Sequence, residues 1–433
     1  MSNIFVKWWL HQQFKSALNS GNTRKAIQLL KQIQSAGFKL SYLEQLFKDK
    51  LKLERTAIEH QREIINLRKQ VTEVSQRGSN LLLNPAPDFL QYIYTTFNLV
   101  DHDDYKIQVT GIDAEIFDDL EQQLVEYIET EFKKYSETQL RIKIEDAMED
   151  LHRLKVGQDP DYGFSLTPHI YFMKYFLENV YCLSLAWFLI YQQGLISTQL
   201  KILDIGAGPG TAAYGLALFL QSCSNLMAIS PMHISYYSLE KQESFQYRGL
   251  QFWRRYIESQ MSDMNAYFRF VTADIFTLNI KSSQLPKNFF DFIIVSHCFF
   301  NDLEKSQQAN HIYKQIFTQC LNDQGYVLLI VQDKKLFKIC DAEPKEDKSQ
   351  EKNLVENFLK NLGLELVWYK YLTSTGLRNI LSSGDFAKFA QEKLPKQSKM
   401  SPILQKYTVQ KYQTHYALDD YVILAKRLSA VSS

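Results

Sequence analysis

The chain has 433 residues, 45% of them hydrophobic and 22% charged, and a formal net charge of +1. That length is enough for two or three domains and at least one substantial core, and the composition is that of an ordinary folded chain. The five cysteines (Cys182, Cys223, Cys298, Cys320, Cys340) form no C-x-x-C pair, which excludes a zinc or iron–sulfur site legible from spacing and argues against a disulfide framework.

Charge is unevenly spread. Residues 1–79 hold 14 Lys+Arg against 6 Asp+Glu, and residues 80–160 hold 7 against 18. Either a basic arm and an acidic middle attract each other or bind different partners, or both are solvated helix faces. The start, MSNIFVKWWLHQQFK, lacks the apolar core and small-residue cleavage site of a signal peptide. The strongest apolar run, Val180–Tyr191, is too short to span a bilayer. The expectation is a reducing, cytoplasmic protein without a membrane span and without a metal centre.

In chain order, residues 1–79 read as a helical arm. Phe14–Gly37 predicts a helix, a tight NSGN turn and a second helix, with the spacing of one tetratricopeptide-like unit. One unit buries no face of its own, so no solenoid is expected. Heptads follow: Leu43, Lys50, Ala57, Ile64 and Val71 at position a, and Leu46, Leu53, His60, Leu67 and Val74 at position d. They fit a coiled coil over 43–74, joining a second copy or a protein partner, or a helix packed on the protein's own body. A linker at 75–88 leads into an acidic, mainly helical region over 80–164. From 165 to 433 the pattern predicts an α/β domain, opened by the aromatic helix at 168–195. Seven strands are expected, at 200–206, 233–240, 267–275, 289–297, 325–332, 364–372 and 419–427, the last two as an antiparallel hairpin.

LDIGAGPGTAAYG, Leu203–Gly215, places an acid at the end of the first strand, then glycines at 206, 208 and 210, then a helix. Glycine permits a sharp turn and close approach of backbone to ligand, and the helix N-terminus favours an anionic group. A nicotinamide dinucleotide, a flavin or S-adenosylmethionine could occupy such a turn. The spacing G-x-G-x-G departs from the dinucleotide G-x-G-x-x-G, and an acid before the loop suits a cationic amine better than a pyrophosphate.

ILDIGAGPGTAA resembles the first motif of class I S-adenosylmethionine-dependent methyltransferases, and further motifs follow in the family's order over about 165–428. The resemblance implies a Rossmann-like seven-stranded sheet and S-adenosylmethionine as cofactor. It implies that Asp204, Gly206, Ala207, Gly208 and Gly210 line the methionine end. Glu240, with Lys241 beside it, would meet the ribose hydroxyls. Asp274 would meet the adenine amino group and Ile275 the ring, while FDFIIVSHCFFNDL, with Ser296, would open toward the substrate. Asp274 reads alternatively as a helix N-cap. His297, Asn301 and Asp302 are the candidate catalytic residues, with Glu304 nearby, and imidazole titrates near neutrality. The [DN]-P-P-[YFW] tetrad of many amino-nitrogen methyltransferases is absent.

The acceptor is expected to be a protein, an RNA or a small molecule. The insertion 376–416 carries 7 Lys+Arg against 2 acids with interleaved tyrosines; it fits nucleic-acid contact or a lid over the cofactor. LDIGAGPGTAA with VSHCFFNDL also resembles methyltransferase-like ribosomal small-subunit assembly proteins, whose clustered cysteines this chain lacks. A cofactor-binding scaffold or assembly factor without turnover is therefore the alternative, and a nicotinamide-dependent oxidoreductase is disfavoured by the glycine spacing.

Overall fold

Nine strands, two more than expected, build one sheet in a computed structural model. The structure describes residues 2–19, 23–36, 81–156, 158, 160–227, 229–260, 264–280, 284–300, 302–343, 347–377, 383–408 and 413–428. The chain divides into two compact units, Met1–Ser79 and Asn80–Ser433.

In the first unit, the helices Ser2–Asn19 and Thr23–Ser35 pack through Leu10, Phe14 and Ala17 against Ala26, Leu29, Leu30 and Ile33. The heptads over 43–74 lie outside the described residues.

In the second unit the strands are β1 (Leu99–Asp101), β2 (Lys106–Val109), β3 (Gln199–Ile205), β4 (Met232–Glu240), β5 (Met264–Thr272), β6 (Phe290–Ser296), β7 (Leu321–Gln332), β8 (Leu364–Thr373) and β9 (Asp419–Arg427). Their order across the sheet is β1-β2-β8-β9-β7-β6-β3-β4-β5. β3 pairs in parallel with β4 on one side and β6 on the other. Here the strand order reverses, so the carboxyl ends of β3, β4 and β6 open a crevice at the switch point. β9 runs antiparallel to both β7 and β8, as expected of the final hairpin.

The seven-stranded expectation is corrected by β1 and β2, which lie inside the segment read as mainly helical. Only Ile107 and Val109 alternate inward along β2, too short a period-2 signal to stand out in sequence. Asp103 Oδ1 closes the preceding turn by accepting from the Tyr105 and Lys106 N–H groups at 2.8 and 2.9 Å. β2 then adds in parallel to β8.

Helix Leu177–Gln192 is apolar on nearly every side because it is covered on nearly every side. It packs against helix Thr211–Leu226 so closely that a Cβ on Gly215 would stand 2.6 Å from Leu183 Cβ, and Trp187 Nε1 donates to Ala212 O at 3.1 Å. Residues 80–164 share this core: Phe97, Phe117 and Leu124 belong to the same cluster as Tyr181, Tyr214 and Phe252. The basic insertion also joins the body. Glu121, 0% exposed, accepts from the backbone N–H groups of Lys399 (2.9 Å) and Met400 (2.8 Å) at the start of helix Met400–Tyr407. Of the insertion's tyrosines, Tyr416 is buried and Tyr407 packs edge-on against Phe132.

Candidate functional site

The apolar run of β3 ends at Ile205, and the chain turns through Gly206 (φ 65°), Gly208 (52°) and Gly210 (85°) into helix Thr211–Leu226. These are left-handed conformations that glycine adopts without steric cost. Gly206 N–H donates to Leu239 O and Gly210 N–H to Ala207 O, each at 2.8 Å. A side chain at Gly206 would overlap the Cys298 thiol, and one at Gly249 would overlap the Pro209 carbonyl. Helix Glu243–Tyr256 therefore rests directly on the loop. Ala207 is buried within it.

Asp204, 2% exposed, accepts a short hydrogen bond from the Tyr236 hydroxyl. Burial pushes its carboxyl up to about 7; the Tyr236 bond opposes this and Glu240 reinforces it. Glu240 Oε2 accepts from Gly208 N–H at 2.8 Å and Oε1 from Gln242 N–H at 2.9 Å. Its carboxyl is also raised, chiefly by burial, with the N–H groups of Gln242, Gly208 and Lys241 and the Lys241 ammonium pulling it down. Among the described residues, no basic side chain forms an ion pair with Asp204 or Glu240. Lys241 Nζ instead pairs with Asp274 Oδ2 at 3.0 Å.

β5 ends at Thr272, three residues short of the expected end, because Asp274 starts a 3-10 turn, Ile275–Thr277. Asp274 Oδ1 accepts from Phe276 N–H at 3.0 Å, the capping role read as its alternative, and Ile275 is buried.

At the end of β6, Ser296 Oγ is buried without a hydrogen-bond partner. His297, expected in the strand, lies just past it at φ 55°. This left-handed backbone is uncommon for a non-glycine residue, and such conformations cluster at functional sites. Its Nδ1 stands 3.7 Å from Asp420 Oδ1, and its Nε2 is buried with no partner. Asp302 is an exposed N-cap of helix Leu303–Cys320, its Oδ1 accepting from Lys305 N–H at 2.9 Å. Glu304 lies in that helix's first turn. Asn301 lies outside the described residues.

Sequence reading missed Tyr236, Asp420 and a partly buried polar stripe along the helical stretch that follows Leu166. From Leu166 to Tyr191 every position is buried except Tyr171, Lys174, Tyr175, Glu178 and Asn179. These recur at three- and four-residue intervals, one face of a helix, interrupted by a π turn over Phe172–Phe176, a geometry frequent at functional sites. That spacing was visible in the sequence. Asp420 was not, because only the insertion of β9 beside β7 brings it to His297.

Among the described residues, no group of three or more His, Cys, Asp or Glu side chains could hold a metal ion, and no helix is long and apolar enough to cross a membrane. No family model matches the chain, and no curated protein matches it. Solved structures do. An S-adenosylmethionine-dependent methyltransferase from Methanosarcina mazei is 15% identical, with a TM-score of 0.31 over 55% of this chain and 98% of its own. A putative S-adenosylmethionine-dependent methyltransferase from Methanococcus maripaludis is 14% identical, with a TM-score of 0.29 over 62% and 93%. A putative methyltransferase complexed with the Trm112 methyltransferase activator from Haloferax volcanii is 11% identical, with a TM-score of 0.29 over 54% and 84%. At such identities and scores, the chemistry of the crevice has to be judged from its own residues.

Proposed function

We propose that the chain is an S-adenosylmethionine-dependent methyltransferase with its cofactor lying across the carboxyl ends of β3, β4 and β5. The observation that carries this is the pair of carboxylates, Asp204 and Glu240, bracketing a glycine turn and a helix N-terminus, with no basic side chain among the described residues in an ion pair with either. Two carboxylates repel a pyrophosphate and attract an ammonium; the helix N-terminus beyond them suits a carboxylate. An amino acid bearing a nucleoside meets both demands, which disfavours a nicotinamide dinucleotide.

Asp204 would hold the ammonium. Glu240 spends one acceptor site per oxygen on Gly208 and Gln242, and a carboxylate oxygen retains a second for a ribose hydroxyl. Asp274, steadied by Lys241, would meet the adenine edge with Ile275 against the ring. Gly206, Ala207, Gly208, Gly210 and Ser296 would line the methionine end. When bound, the cofactor supplies an activated methyl, so alignment and exclusion of water carry much of the catalysis. His297 would take the proton of an acceptor that must lose one, with Asn301 and Asp302 as the further candidate catalytic residues. In this reading residues 43–74 serve self-association or a protein partner, and 376–416 is a candidate nucleic-acid contact.

A scaffold that binds the cofactor without turnover is the second reading. It is favoured by Asp302, whose carboxylate is engaged as a helix cap. Titration calorimetry with S-adenosylhomocysteine and NADH tests the first claim; binding of the dinucleotide alone would sink it. Transfer of labelled methyl into protein, RNA and metabolite fractions of a cell extract, with Asp204→Ala as control, separates enzyme from scaffold. Absence of label from all three fractions favours the scaffold.

A further inference from the structure

One strand fixes both His297 and a carboxylate beside it. The His297 N–H donates to Ile330 O of β7 at 2.9 Å, where a φ of 55° turns the chain out of β6. β7 also brings Asp420 to this end of the sheet: at the start of β9, Asp420 lies opposite Gln332, two residues beyond Ile330. The two side chains meet there, His297 Nδ1 standing 3.7 Å from Asp420 Oδ1.

A histidine kept for packing has its ring nitrogens satisfied. His297 departs from that pattern. Its side chain is 20% exposed, Nδ1 faces a carboxylate oxygen, and Nε2 is buried with no partner among the described residues. Asp420 is buried as well. Its Oδ2 accepts from the Asp419 N–H at 3.4 Å, and its Oδ1 has no hydrogen bond among the described residues. Burial raises the Asp420 carboxyl, while His297 pulls it down and Asp419 pushes it up. The Tyr371 hydroxyl donates to Asp419 Oδ1, at 2.5 Å, and not to Asp420.

Which nitrogen of a neutral imidazole carries the proton is set by what the other nitrogen faces. A carboxylate beside Nδ1 favours the Nδ1–H tautomer and leaves the Nε2 lone pair bare. Once Nε2 takes up a proton, the same carboxylate balances the charge of the imidazolium. A gap of 3.7 Å is longer than a hydrogen bond, and contacts of this kind tighten when substrate is in place.

We propose that Asp420 is the positioning residue of His297, holding the imidazole with Nδ1 protonated and Nε2 ready to take the proton of the methyl acceptor. This rests on the methyltransferase reading. It specifies an acceptor atom that must shed a proton before it can attack, which sets aside a carboxylate. The step balances: the bond from the acceptor atom to hydrogen breaks, and the proton passes to Nε2. The electron pair left behind forms the bond to the methyl carbon, while the sulfur–methyl pair returns to sulfur.

The test uses the full chain and reads binding, tautomer and transfer separately. Titration with S-adenosylhomocysteine comes first; failure there removes the methyltransferase reading and the proton transfer with it. The tautomer is read next, without cofactor, by long-range proton–nitrogen NMR of protein labelled with nitrogen-15 histidine. His297→Gln identifies the His297 signals among the nine histidines. At about pH 8.5, two units above the ordinary imidazole value, the expected form is Nδ1–H. Asp420→Asn, whose amide can donate to Nδ1, should lower the ratio of Nδ1–H to Nε2–H by about tenfold or more. Asp420→Glu should restore part of the ratio, and Asp419→Asn should leave it unchanged. Near-ultraviolet circular dichroism verifies that each variant is folded. A wild-type chain in the Nε2–H form, or a ratio unchanged in folded Asp420→Asn, would overturn the positioning role. Transfer of labelled methyl into cell extract then reads its effect. Asp420→Asn should slow transfer about tenfold or more while S-adenosylhomocysteine affinity stays within about twofold. Undiminished transfer, an affinity that falls in step with the rate, or a wild-type chain that binds S-adenosylhomocysteine yet labels no fraction would each overturn it.

Discussion

The two halves of the crevice differ in how completely their polar groups are satisfied. On the β3–β4–β5 side, Asp204 is bonded to Tyr236, Glu240 to two backbone N–H groups, and Asp274 to Lys241 and a capped turn. On the β6–β7–β9 side, His297 Nε2 and Asp420 Oδ1 are buried without partners. The first half is preorganised, its carboxylates held where a ligand needs them. The second carries unsatisfied groups whose cost a ligand would offset. Substitutions in the first half should therefore cost affinity and stability together, and those in the second should separate the two.

The largest effect is expected at Gly249. A side chain there meets the Pro209 backbone, which cannot rotate away. Gly249→Val should lower stability by about 3 kcal/mol or more and remove detectable S-adenosylhomocysteine binding. Thermal unfolding and calorimetry check this; normal binding would show that the helix does not fix the loop.

Next comes the charge on Asp204. With its folded value raised to about 7, the folded chain keeps a proton that the unfolded chain loses near pH 4. Its contribution to stability is therefore present at low pH and is lost as pH rises from about 4 to 7. An ammonium favours the ionised form, so binding at about pH 6 should release close to one proton, and affinity should rise by about tenfold as pH climbs through 7. Calorimetry in two buffers of different protonation enthalpy reads the proton, and Asp204→Asn should abolish its release. Binding with no proton exchange in the wild-type chain would break the assignment.

On helix Leu177–Gln192, Glu178→Gln should leave S-adenosylhomocysteine affinity within about twofold. It should also flatten the decline of stability between about pH 5 and 8, because the neutral amide does not titrate. The sign follows from a carboxyl raised to about 8: the folded state holds its proton longer, so stability falls as pH rises. Denaturant unfolding at three pH values measures it, and an unchanged slope would refute the shift.

The smallest effect belongs to Asp302→Ala. Loss of an N-cap costs about 1 kcal/mol and should leave cofactor affinity untouched. A fall in methyl transfer much larger than the fall in stability would instead place Asp302 in the chemistry.

Much of the sheet was legible because β3, β6 and β7 are continuous apolar runs and β4 ends in an acid at the expected place. The glycine turn was legible because φ above zero at three alternate positions demands a residue type that is scarce elsewhere in the chain. β2 escaped because two inward side chains make no pattern. Tyr236 escaped because a tyrosine in a strand reads as core, and its hydroxyl gains meaning only where β3 and β4 stand side by side. Asp420 escaped for a topological reason: its neighbour His297 is set by strand order, which no local window contains.

The pairing of β2 with β8 has a practical consequence for anyone shortening this chain. A fragment beginning at residue 165 would lose β1 and β2, leaving Tyr371, Leu372 and Thr373 without the neighbours that cover them. The stripped β8 would present a row of open backbone donors and acceptors, a template for pairing with another molecule. It would also lose Glu121, which caps the helix of the basic insertion. Such a fragment is expected to aggregate on expression, whereas one starting near residue 80 keeps β8 paired with β2.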